Sequence, residues 1–398
     1  MKKIIYISGS PIWTTYGKKL GVEWFLDNNV EVEFWDLTSI YYEPEKTESY
    51  FSNHLSFKYK FPMEKIFYSK NKFYNELQSI PPSFIFCFVD FSHLDYYWIL
   101  RSFKRNEVNY FTHPMSTPMY TGRYSNLGLV SKIKESIRGR VLIDKIKKTV
   151  LSKTIKKLQY LIYKKTNYYK KPVFSMGSGV LGSKYWHEIM QPGLFFSVPS
   201  TDVIWNLLPP LLDEKYCVYI DEAMLNSPDS ALFGGTTSML NDNNIFFNEL
   251  NCLFDRIEKH MKCPVVIAAS GKYRYSDRSI FKGRRIIYSD TCKLIQGSSL
   301  VVGHKSQALL QAVVNTKPIM LVTSQSMVEV KNRHIVGMAK ILGLPSTPMK
   351  DVDSYYLDSV LNYTYNYSGV VEQYLCNIAD CKKNWKIVAF NQINKINI

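Results

Sequence analysis

The sequence lacks the residue patterns that mark metal-binding and disulfide-stabilised proteins. Its 398 residues include seven cysteines, an odd number, and no two of them form a Cys-x-x-Cys pair. The seven histidines show neither His-x-x-x-His nor His-Glu-x-x-His spacing. We therefore expect reduced core thiols, as in cytoplasmic proteins, and no built-in metal site.

Long hydrophobic runs are also missing. No apolar stretch approaches the roughly 18–20 residues that a helix needs to span a bilayer, and the one after Lys3 is too short for a secretory signal. The turn after this first strand, Gly9-Ser10-Pro11, lacks the spaced glycines of a dinucleotide-binding loop, which disfavours an NAD-dependent dehydrogenase. We expect a soluble or peripheral protein that uses no cofactor.

Positive charge is concentrated in one segment of the chain. The whole protein has a net charge of +16. Residues 131–171 hold fourteen basic and two acidic residues, which is a net charge of +12. Within this segment Ile143, Ile146, Val150 and further apolar residues recur at three- and four-residue steps, with lysines between them. The pattern predicts a basic amphipathic helix inserted into the fold.

Three interpretations of this helix stay open. It can dock on an anionic membrane surface, which we favour, through Lys147, Lys148, Lys156 and Lys157. It can also pack on the body of the protein with its lysines in water. Nucleic-acid binding is disfavoured, because no RNA- or DNA-binding motif accompanies the charge. We therefore expect an anionic membrane surface, and no nucleic acid, among the partners.

Buried strand-like runs alternate with amphipathic helices along most of the chain. The strands are predicted at 3–7, 30–35, 84–89, 108–111, 173–176, 216–220, 264–269, 285–288, 300–302 and 318–322. Such alternation is typical of parallel, doubly wound α/β sheets, and a chain of this length is expected to form two domains. Prolines between 192 and 210 indicate a boundary, so we assign domains to 1–205 and 206–372 and a helical tail to 373–398.

One turn of the second domain has the features of an anion site. Gly303-His304-Lys305-Ser306-Gln307 joins a predicted strand to a predicted helix, so it places small and basic residues at a helix N-terminus. Free backbone N–H groups and the helix dipole favour an anion there, and open α/β sheets bind ligands at this edge. A phosphate site is one interpretation, and a capped loop with a solvated lysine is the other.

Residues of the second half resemble a known group of enzymes. The matching stretches are Asp221-Glu222 after a strand, the helical residues 247–258, the strand 265–269, Gly283-Arg284-Arg285 and residues 299–318. Over about 210–325 the chain resembles GT-B glycosyltransferases of bacterial surface-polysaccharide synthesis, found among O-antigen and capsule proteins. It is more distantly similar to GT-B sialyl- and Kdo-transferases. The resemblance implies two Rossmann-like domains that face a cleft, and metal-independent transfer from a nucleotide sugar.

The resemblance also assigns a donor site in the second domain. A departing phosphate needs cations and N–H dipoles, and the turn residues His304, Lys305, Ser306 and Gln307 are placed to supply them. Where the sialyl- and Kdo-transferases have His-Pro after a strand, this chain has Ser270-Gly271-Lys272-Tyr273-Arg274, so a CMP-linked donor does not follow. Ser270, Gly271, Lys272 and Arg274 are expected to line the donor site. Asp221 and Glu222 either hold the ribose or base, or cap the next turn.

The acceptor side is expected to come from the first domain. An inverting transfer needs a carboxylate or a histidine to take the acceptor proton. Asp90, at the end of a buried strand, is the first candidate, with His113 and Asp36 behind it. Gly9 and Ser10 are expected to face the same cleft.

These expectations combine into one functional hypothesis and two alternatives. The hypothesis is a glycosyltransferase that moves a sugar from a nucleotide sugar to a glycan acceptor, in particular a lipid-linked one, in capsule or lipopolysaccharide biosynthesis. Such an enzyme is expected in the cytoplasm, peripheral on the inner face of the cytoplasmic membrane. The alternatives are a nucleotide-sugar epimerase of the UDP-GlcNAc 2-epimerase type, and a non-catalytic membrane- or nucleic-acid-binding protein.

Overall fold

Two separate parallel β-sheets organise the chain. A computed structural model describes residues 2–52, 58–89, 96–114, 159–225, 232, 238–271, 273–288, 290–380 and 382–396. The first sheet contains β1 Lys3–Ser8, β2 Glu31–Asp36, β3 Glu64–Ile66, β4 Phe84–Phe88, β5 Asn109–Thr112, β6 Phe174–Gly177 and β7 Leu194–Ser197. The second contains β8 Cys217–Ile220, β9 Val265–Ala269, β10 Ile286–Tyr288, β11 Val301–Gly303, β12 Ile319–Thr323 and β13 Ser346–Pro348.

The strand orders are those of doubly wound sheets. The first sheet runs β3-β2-β1-β4-β5-β6-β7 and the second runs β10-β9-β8-β11-β12-β13, with parallel pairing throughout. In each sheet the order reverses once, between β1 and β4 in the first and between β8 and β11 in the second. Two doubly wound α/β domains are therefore confirmed.

Helices cover both faces of the sheets. In the first domain they are α1 Thr14–Gly17, α2 Val22–Asp27, α3 Thr38–Tyr41, α4 Pro44–Ser52, α5 Lys70–Gln78, α6 Tyr97–Arg105 and α7 Gly179–Met190. In the second they are α8 Asn243–Met261, α9 Thr291–Gly297, α10 Leu309–Val314, α11 Glu329–Leu342, α12 Ser354–Leu361 and α13 Ser368–Val370. The last helix of the chain is α14 Trp385–Lys395. Residues 159–165 are also helical, and the rest of the predicted basic helix, including Lys147, Lys148, Lys156 and Lys157, lies outside the described residues.

The alternation of side chains along β1 explains why the first sheet is covered on both faces. Ile4 and Tyr6 belong to one buried cluster and Ile5 and Ile7 to the other, because successive residues of a strand point to opposite faces. All four are fully buried. A strand that is apolar on both faces requires two helical layers, as parallel sheets generally do.

The last helix does not stay with the second domain. Trp385, Ala389 and Ile393 of α14 are buried in the cluster that includes Phe25 of α2. The ring of Trp385 lies 5.9 Å from that of Phe25 and 4.7 Å from that of His113. Lys2 adds a hydrogen bond from Nζ to the carbonyl oxygen of Ile393, at 3.2 Å. In the described part of the chain, the backbone therefore crosses between the domains twice, once before β8 and once before α14.

A dinucleotide-type glycine spacing occurs in the first domain, although not in its first turn. Gly177-Ser178-Gly179-Val180-Leu181-Gly182 reads Gly-x-Gly-x-x-Gly and runs from the last residue of β6 into the first turn of α7. At the second of these glycines another segment of the chain packs directly against the turn. A Cβ atom on Gly179, whose φ is +65°, would lie 2.5 Å from the backbone oxygen of Gln373. Gly179 therefore permits the close approach of residues 371–375 to the start of α7.

The docking of α14 can be tested by truncating its buried tryptophan. We expect Trp385→Ala to lower the free energy of unfolding of the first domain by about 3–5 kcal/mol, because a large buried aromatic leaves a cavity. Chemical denaturation followed by circular dichroism measures this loss. Ile387→Ala, on the exposed face of the same helix, is the matched control and should change stability by at most about 0.5 kcal/mol. Equal losses in the two variants would contradict the docking of α14 through Trp385.

Candidate functional site

A cavity of about 480 Å³ lies between the two domains. The first domain contributes Trp13, Lys18 and Lys19, and the linker before β8 contributes Thr201–Ile204. The second domain contributes residues at the ends of its strands and in the segments that follow them: Ile220, Asp221, Glu222, Ser270, Gly271, Asp290, Thr291, Cys292, Lys293, Ser306 and Ala308. We call this cavity the cleft.

The position of the cleft follows from the topology of the second sheet. Parallel strands end at the same edge, and where the strand order reverses the two neighbouring loops diverge and leave a crevice. In the second sheet this reversal lies between β8 and β11, and the cleft contains residues that follow both strands. Its volume lies within the range of about 300–1,000 Å³ found for small-ligand pockets.

The linker is fastened to the second domain beside the cleft. The buried side chain of Gln311, in α10, accepts a hydrogen bond from the backbone N–H of Ile204 at 2.7 Å and donates one to its carbonyl oxygen at 3.0 Å. Asp202 forms an ion pair with Lys19 of the first domain, at 3.2 Å. The linker therefore connects a loop of the first domain to a helix of the second at the wall of the cleft.

Asp221 forms part of the cleft wall directly after β8. Its Oδ1 accepts a hydrogen bond from the backbone N–H of Ala223 at 3.1 Å, and Ala223 has the left-handed φ of +53° that is uncommon for a residue with a Cβ. Only 5% of Asp221 is exposed. Burial raises the pKa of this carboxyl group to about 6, so it titrates close to neutral pH.

Glu222 is held by charge, unlike its neighbour. Burial alone would raise its pKa, but the ammonium group of Lys331 in α11 forms an ion pair with Oε2 and the net pKa is lowered. Oε1 accepts the backbone N–H of Lys305 at 2.5 Å. Glu222 therefore stays ionised and fixes the loop after β11 to the end of β8.

His304 differs from the expectation that it supplies positive charge. It is fully buried, and its Nδ1 lies 2.7 Å from the carbonyl oxygen of Val322, to which only a protonated nitrogen can donate. Nε2 is then the acceptor for the hydroxyl group of Tyr219, at 2.9 Å. Burial lowers the pKa of His304 to about 4, so the ring is neutral at pH 7. His304 orients the turn and does not line the cleft.

Of the other residues of that turn, Ser306 lies at the cleft, whereas Lys305 is half-buried beside α11 and Gln307 is exposed. Ser306 and Ala308 line the cleft, and the Ser306 hydroxyl oxygen accepts the backbone N–H of Ala308 at 3.2 Å. Nζ of Lys305 lies 3.4 Å from Nδ1 of His334 in α11, and neither Lys305 nor Gln307 lines the cleft. Of the four predicted turn residues, the structure therefore places only Ser306 at the cleft.

The loop after β9 meets the cleft through its first two residues. Ser270 and Gly271 line it, and Arg274 is exposed and does not. Lys272 lies outside the described residues.

Of the residues predicted for the acceptor side, none lines the cleft in the described part of the chain. Gly9 and Ser10 are buried at the reversal between β1 and β4, where the Ser8 hydroxyl donates to the Ser10 carbonyl oxygen at 2.8 Å. His113 is 1% exposed, and burial lowers its pKa to about 4. Its Nε2 lies 3.4 Å from the carbonyl oxygen of Lys19. Asp90 lies outside the described residues.

Several residues of the cleft were not predicted from the sequence. Lys18, Lys19 and Asp202 come from other parts of the chain, and no local pattern links them to the second domain. Thr291, Cys292 and Lys293 begin α9 directly after β10, so the strand–turn–helix pattern used for residues 303–307 was also available for them.

Among the described residues, no group of three or more His, Cys, Asp or Glu side chains is arranged to hold a metal ion. No helix in this part of the chain is both long and apolar enough to cross a membrane.

Comparisons with known proteins identify the fold. No family model matches the sequence, and no curated protein does. Among solved structures, a variant of the wall teichoic acid polymerase TagF is similar over 99% of this chain and 88% of its own, with a TM-score of 0.54 and 11% identity. A UDP-GlcNAc 2-epimerase from Methanocaldococcus jannaschii, at 9% identity, covers 98% of this chain and 99% of its own with a TM-score of 0.48. The glycosyltransferase SnogD from Streptomyces nogalater, at 11% identity, covers 91% of each chain with a TM-score of 0.43.

Sequence identities as low as these support a conclusion about the fold alone. The TagF structure matches nearly the whole chain, including both domains, and the two parallel sheets with facing carboxyl edges are present in this protein by direct observation. The chain therefore has the GT-B fold.

Proposed function

We propose that this protein is a glycosyltransferase that binds a nucleotide sugar in the cleft and transfers the sugar to a glycan acceptor. The observation that carries the proposal is the position of the cleft, at the strand-order reversal of the second sheet and against the first domain. A donor bound at that edge has its sugar directed toward the other domain, from which an acceptor can approach.

The donor phosphates belong at the wall formed by the loops after β9, β10 and β11. Ser306, Ser270 and the first turn of α9 offer hydroxyl and backbone N–H groups, and Lys293 and Lys18 add positive charge. The departing nucleoside phosphate gains negative charge in the transition state, and fixed donors aimed at it lower the barrier. We include in the proposal that these groups act without a metal ion.

Asp221 and Glu222 have separate roles in this scheme. Glu222 is committed to Lys331 and to the loop after β11, so it positions that loop. Asp221 uses Oδ1 for Ala223 and presents a buried carboxyl group to the cleft. With a pKa of about 6 it exchanges protons near neutral pH, which suits contact with a hydroxyl or ring nitrogen of the donor nucleoside.

Removal of the acceptor proton is assigned to Asp90. It follows β4 by two residues, and β4 borders the strand-order reversal of the first sheet. His113 is the weaker candidate, because its ring is buried against Trp385 and its low pKa makes it a poor proton acceptor.

The acceptor class and location complete the proposal. We assign the enzyme to surface-polysaccharide synthesis on a lipid-linked acceptor, at the inner face of the cytoplasmic membrane. The support is the net charge of +12 in residues 131–171, which attracts an anionic bilayer. An enzyme that docks there meets acceptors that are anchored in the same surface.

Donor binding is tested by thermal unfolding with CMP, UDP, GDP and ADP and their sugars. We expect one nucleotide family to raise the temperature midpoint of unfolding. At a concentration 100 times its dissociation constant, the bound nucleotide should increase the free energy of unfolding by about 2.7 kcal/mol. Ser306→Ala should lose most of this shift, because its hydroxyl group lines the cleft. Ser359→Ala, an exposed serine of α12, is the control and should keep it. Absence of a response to every nucleotide would contradict the proposal.

Turnover then separates transfer from epimerisation. A glycosyltransferase releases nucleotide in proportion to added acceptor, whereas an epimerase changes the sugar of the donor with no acceptor present. Conversion of the donor alone into an isomeric nucleotide sugar would replace the proposed function.

The unusual pKa of Asp221 predicts a specific pH dependence of stability. The folded state binds more protons than the unfolded state between pH 4 and 6, so wild-type stability falls as pH rises through this window. Asp221→Asn removes this fall and should be more stable than wild type by about 3 kcal/mol at pH 7.5, and by little at pH 4. Asp290→Asn, whose side chain is 42% exposed, is the control. A stability difference that does not change with pH would refute the raised pKa.

Membrane docking is tested by sedimentation with phosphatidylglycerol-containing vesicles. Changing Lys147, Lys148, Lys156 and Lys157 to glutamine should lower the partition constant at low salt by about three orders of magnitude, at about 1 kcal/mol for each lysine. The control changes four exposed lysines of the second domain, Lys215, Lys259, Lys340 and Lys350, and removes the same charge. Unchanged vesicle binding by the first variant would refute docking through residues 131–171.

A further inference from the structure

The first domain has a second cavity, separate from the cleft. It encloses about 460 Å³ between α5, α6 and residues 159–169, and it shares no lining residue with the cleft. We call it the side pocket. Its lining includes four aromatic rings and two guanidinium groups, from Tyr74, Tyr97, Trp98, Tyr169, Arg101 and Arg105.

Hydrogen bonds and ring contacts with neighbouring residues hold the aromatic rings of the side pocket in place. Trp98 donates a hydrogen bond from Nε1 to the hydroxyl group of Tyr41 at 3.0 Å. Its ring also meets that of Tyr74 edge-on, with centroids 5.7 Å apart. Tyr97 packs against Tyr169 at 5.2 Å. Because these contacts hold the rings, a ligand finds the apolar walls already formed.

Two arginines give the side pocket its charge. Arg101 and Arg105 are four residues apart on α6, so they project from the same face of the helix. Both are exposed, and neither forms an ion pair with another described residue. The guanidinium group of Arg101 lies 4.8 Å from the centre of the Tyr168 ring, which holds it over an aromatic face. Among the described residues that line the pocket there is no carboxylate, so their net charge is positive.

Carboxamide groups supply the remaining polar atoms. Gln78, Asn106 and Gln159 line the pocket. The Oε1 atom of Gln159 is buried and has no hydrogen-bond partner among the described residues. A buried acceptor of this kind costs free energy unless a donor such as a ligand hydroxyl group meets it.

We propose that the side pocket binds an acidic saccharide, a part of the acceptor glycan that lies away from the reacting end. Aromatic faces pack against the C–H faces of a sugar ring, arginines bind its carboxylate or phosphate in a bidentate way, and carboxamides bind its hydroxyl groups. The identification of this saccharide as acceptor rests on the proposed transferase function, whereas the binding of an acidic saccharide does not.

The shape and charge of the pocket favour a saccharide over a nucleic acid. A single-stranded nucleic acid needs an open basic groove that follows several phosphates. The side pocket has two arginines, and the intervening Lys104 is exposed and does not line it. The enclosed volume fits a short ligand segment.

The location explains why such a site is useful. A helix that follows a parallel strand runs back along the sheet, so α6 begins near the carboxyl edge and ends near the opposite edge. Tyr97 and Trp98 therefore lie on the cleft side and Arg105 lies away from it. A glycan whose reacting end is in the cleft can pass over Trp98 and place an acidic residue at Arg105, which would select acidic polymers and retain them between transfers.

Calorimetric titration of the full chain without donor tests the binding. The probes are trigalacturonic acid and glucose 6-phosphate, with maltotriose as the neutral comparison. We expect at least one acidic probe to bind and maltotriose to bind at least about tenfold more weakly. Arg101→Gln and Arg105→Gln should each weaken the acidic probe by about tenfold or more, as expected for a charged, bidentate contact. Lys104→Gln removes the same charge from the same helix and should change the affinity by less than about twofold.

The possible outcomes separate this inference from the proposed function. Loss of binding in both arginine variants, with the nucleotide-induced thermal shift intact, supports a saccharide site distinct from the donor site. Failure of both acidic probes to bind the wild-type chain overturns the inference and leaves the donor-binding result untouched. Equal weakening by Lys104→Gln overturns it in favour of unspecific charge attraction. Arginine-dependent binding of an oligonucleotide or of phosphatidylglycerol vesicles, without binding of the acidic saccharides, overturns it in favour of that ligand.

Discussion

The packing of the last helix into the first domain is the contact on which the arrangement of this protein depends. Each sheet by itself determines only at which of its edges the carboxyl ends of its strands lie. The contact of Trp385 with Phe25 and His113 returns the chain to the first domain after the second is complete. Together with the ion pair of Lys19 and Asp202, it keeps the carboxyl edges of the two sheets opposite each other. The cleft exists because of that opposition.

The two buried carboxyl groups that follow β8, those of Asp221 and Glu222, have different environments. Glu222 has a lysine partner and remains ionised, whereas Asp221 has no lysine partner among the described residues and burial raises its pKa. The two carboxyl groups are adjacent in sequence and both directly follow β8, so the local sequence does not distinguish their roles. The position of Lys331, more than one hundred residues further along the chain, determines which of them holds the structure together and which is available to a ligand.

The sequence predicted the centre of each sheet well and its margins poorly. Strands that are apolar on both faces stand out as continuous apolar runs, and the observed bounds differ from the predicted ones by about one residue. β3, β7 and β13 were missed. All three lie at sheet edges, and β3 and β13 consist largely of polar or half-exposed residues. Their pairing depends on a neighbouring strand rather than on their own composition.

Site residues were predicted where a loop directly follows a strand that the sequence shows. They were missed where the other domain contributes them. Ser306 and Ser270 follow strands that the sequence shows, and both line the cleft. Lys18 and Lys19 reach the cleft through the packing of the first domain against the second, which no local sequence pattern indicates. The charge of His304 was predicted wrongly for a related reason. A histidine in a turn is expected to be exposed and able to take up a proton, but His304 is buried against Tyr219 and Val322, which lie elsewhere in the sequence.

The double crossing between the domains has a mechanical consequence. The backbone N–H of Ser200, in the first crossing segment, donates to the carbonyl oxygen of Leu375, in the second, at 2.8 Å. The two connections therefore lie side by side next to Thr201–Ile204, which form one wall of the cleft. Any rotation of one domain against the other about these connections moves atoms in proportion to their distance from them. The wall of the cleft beside the linker is consequently the part that such a rotation changes least.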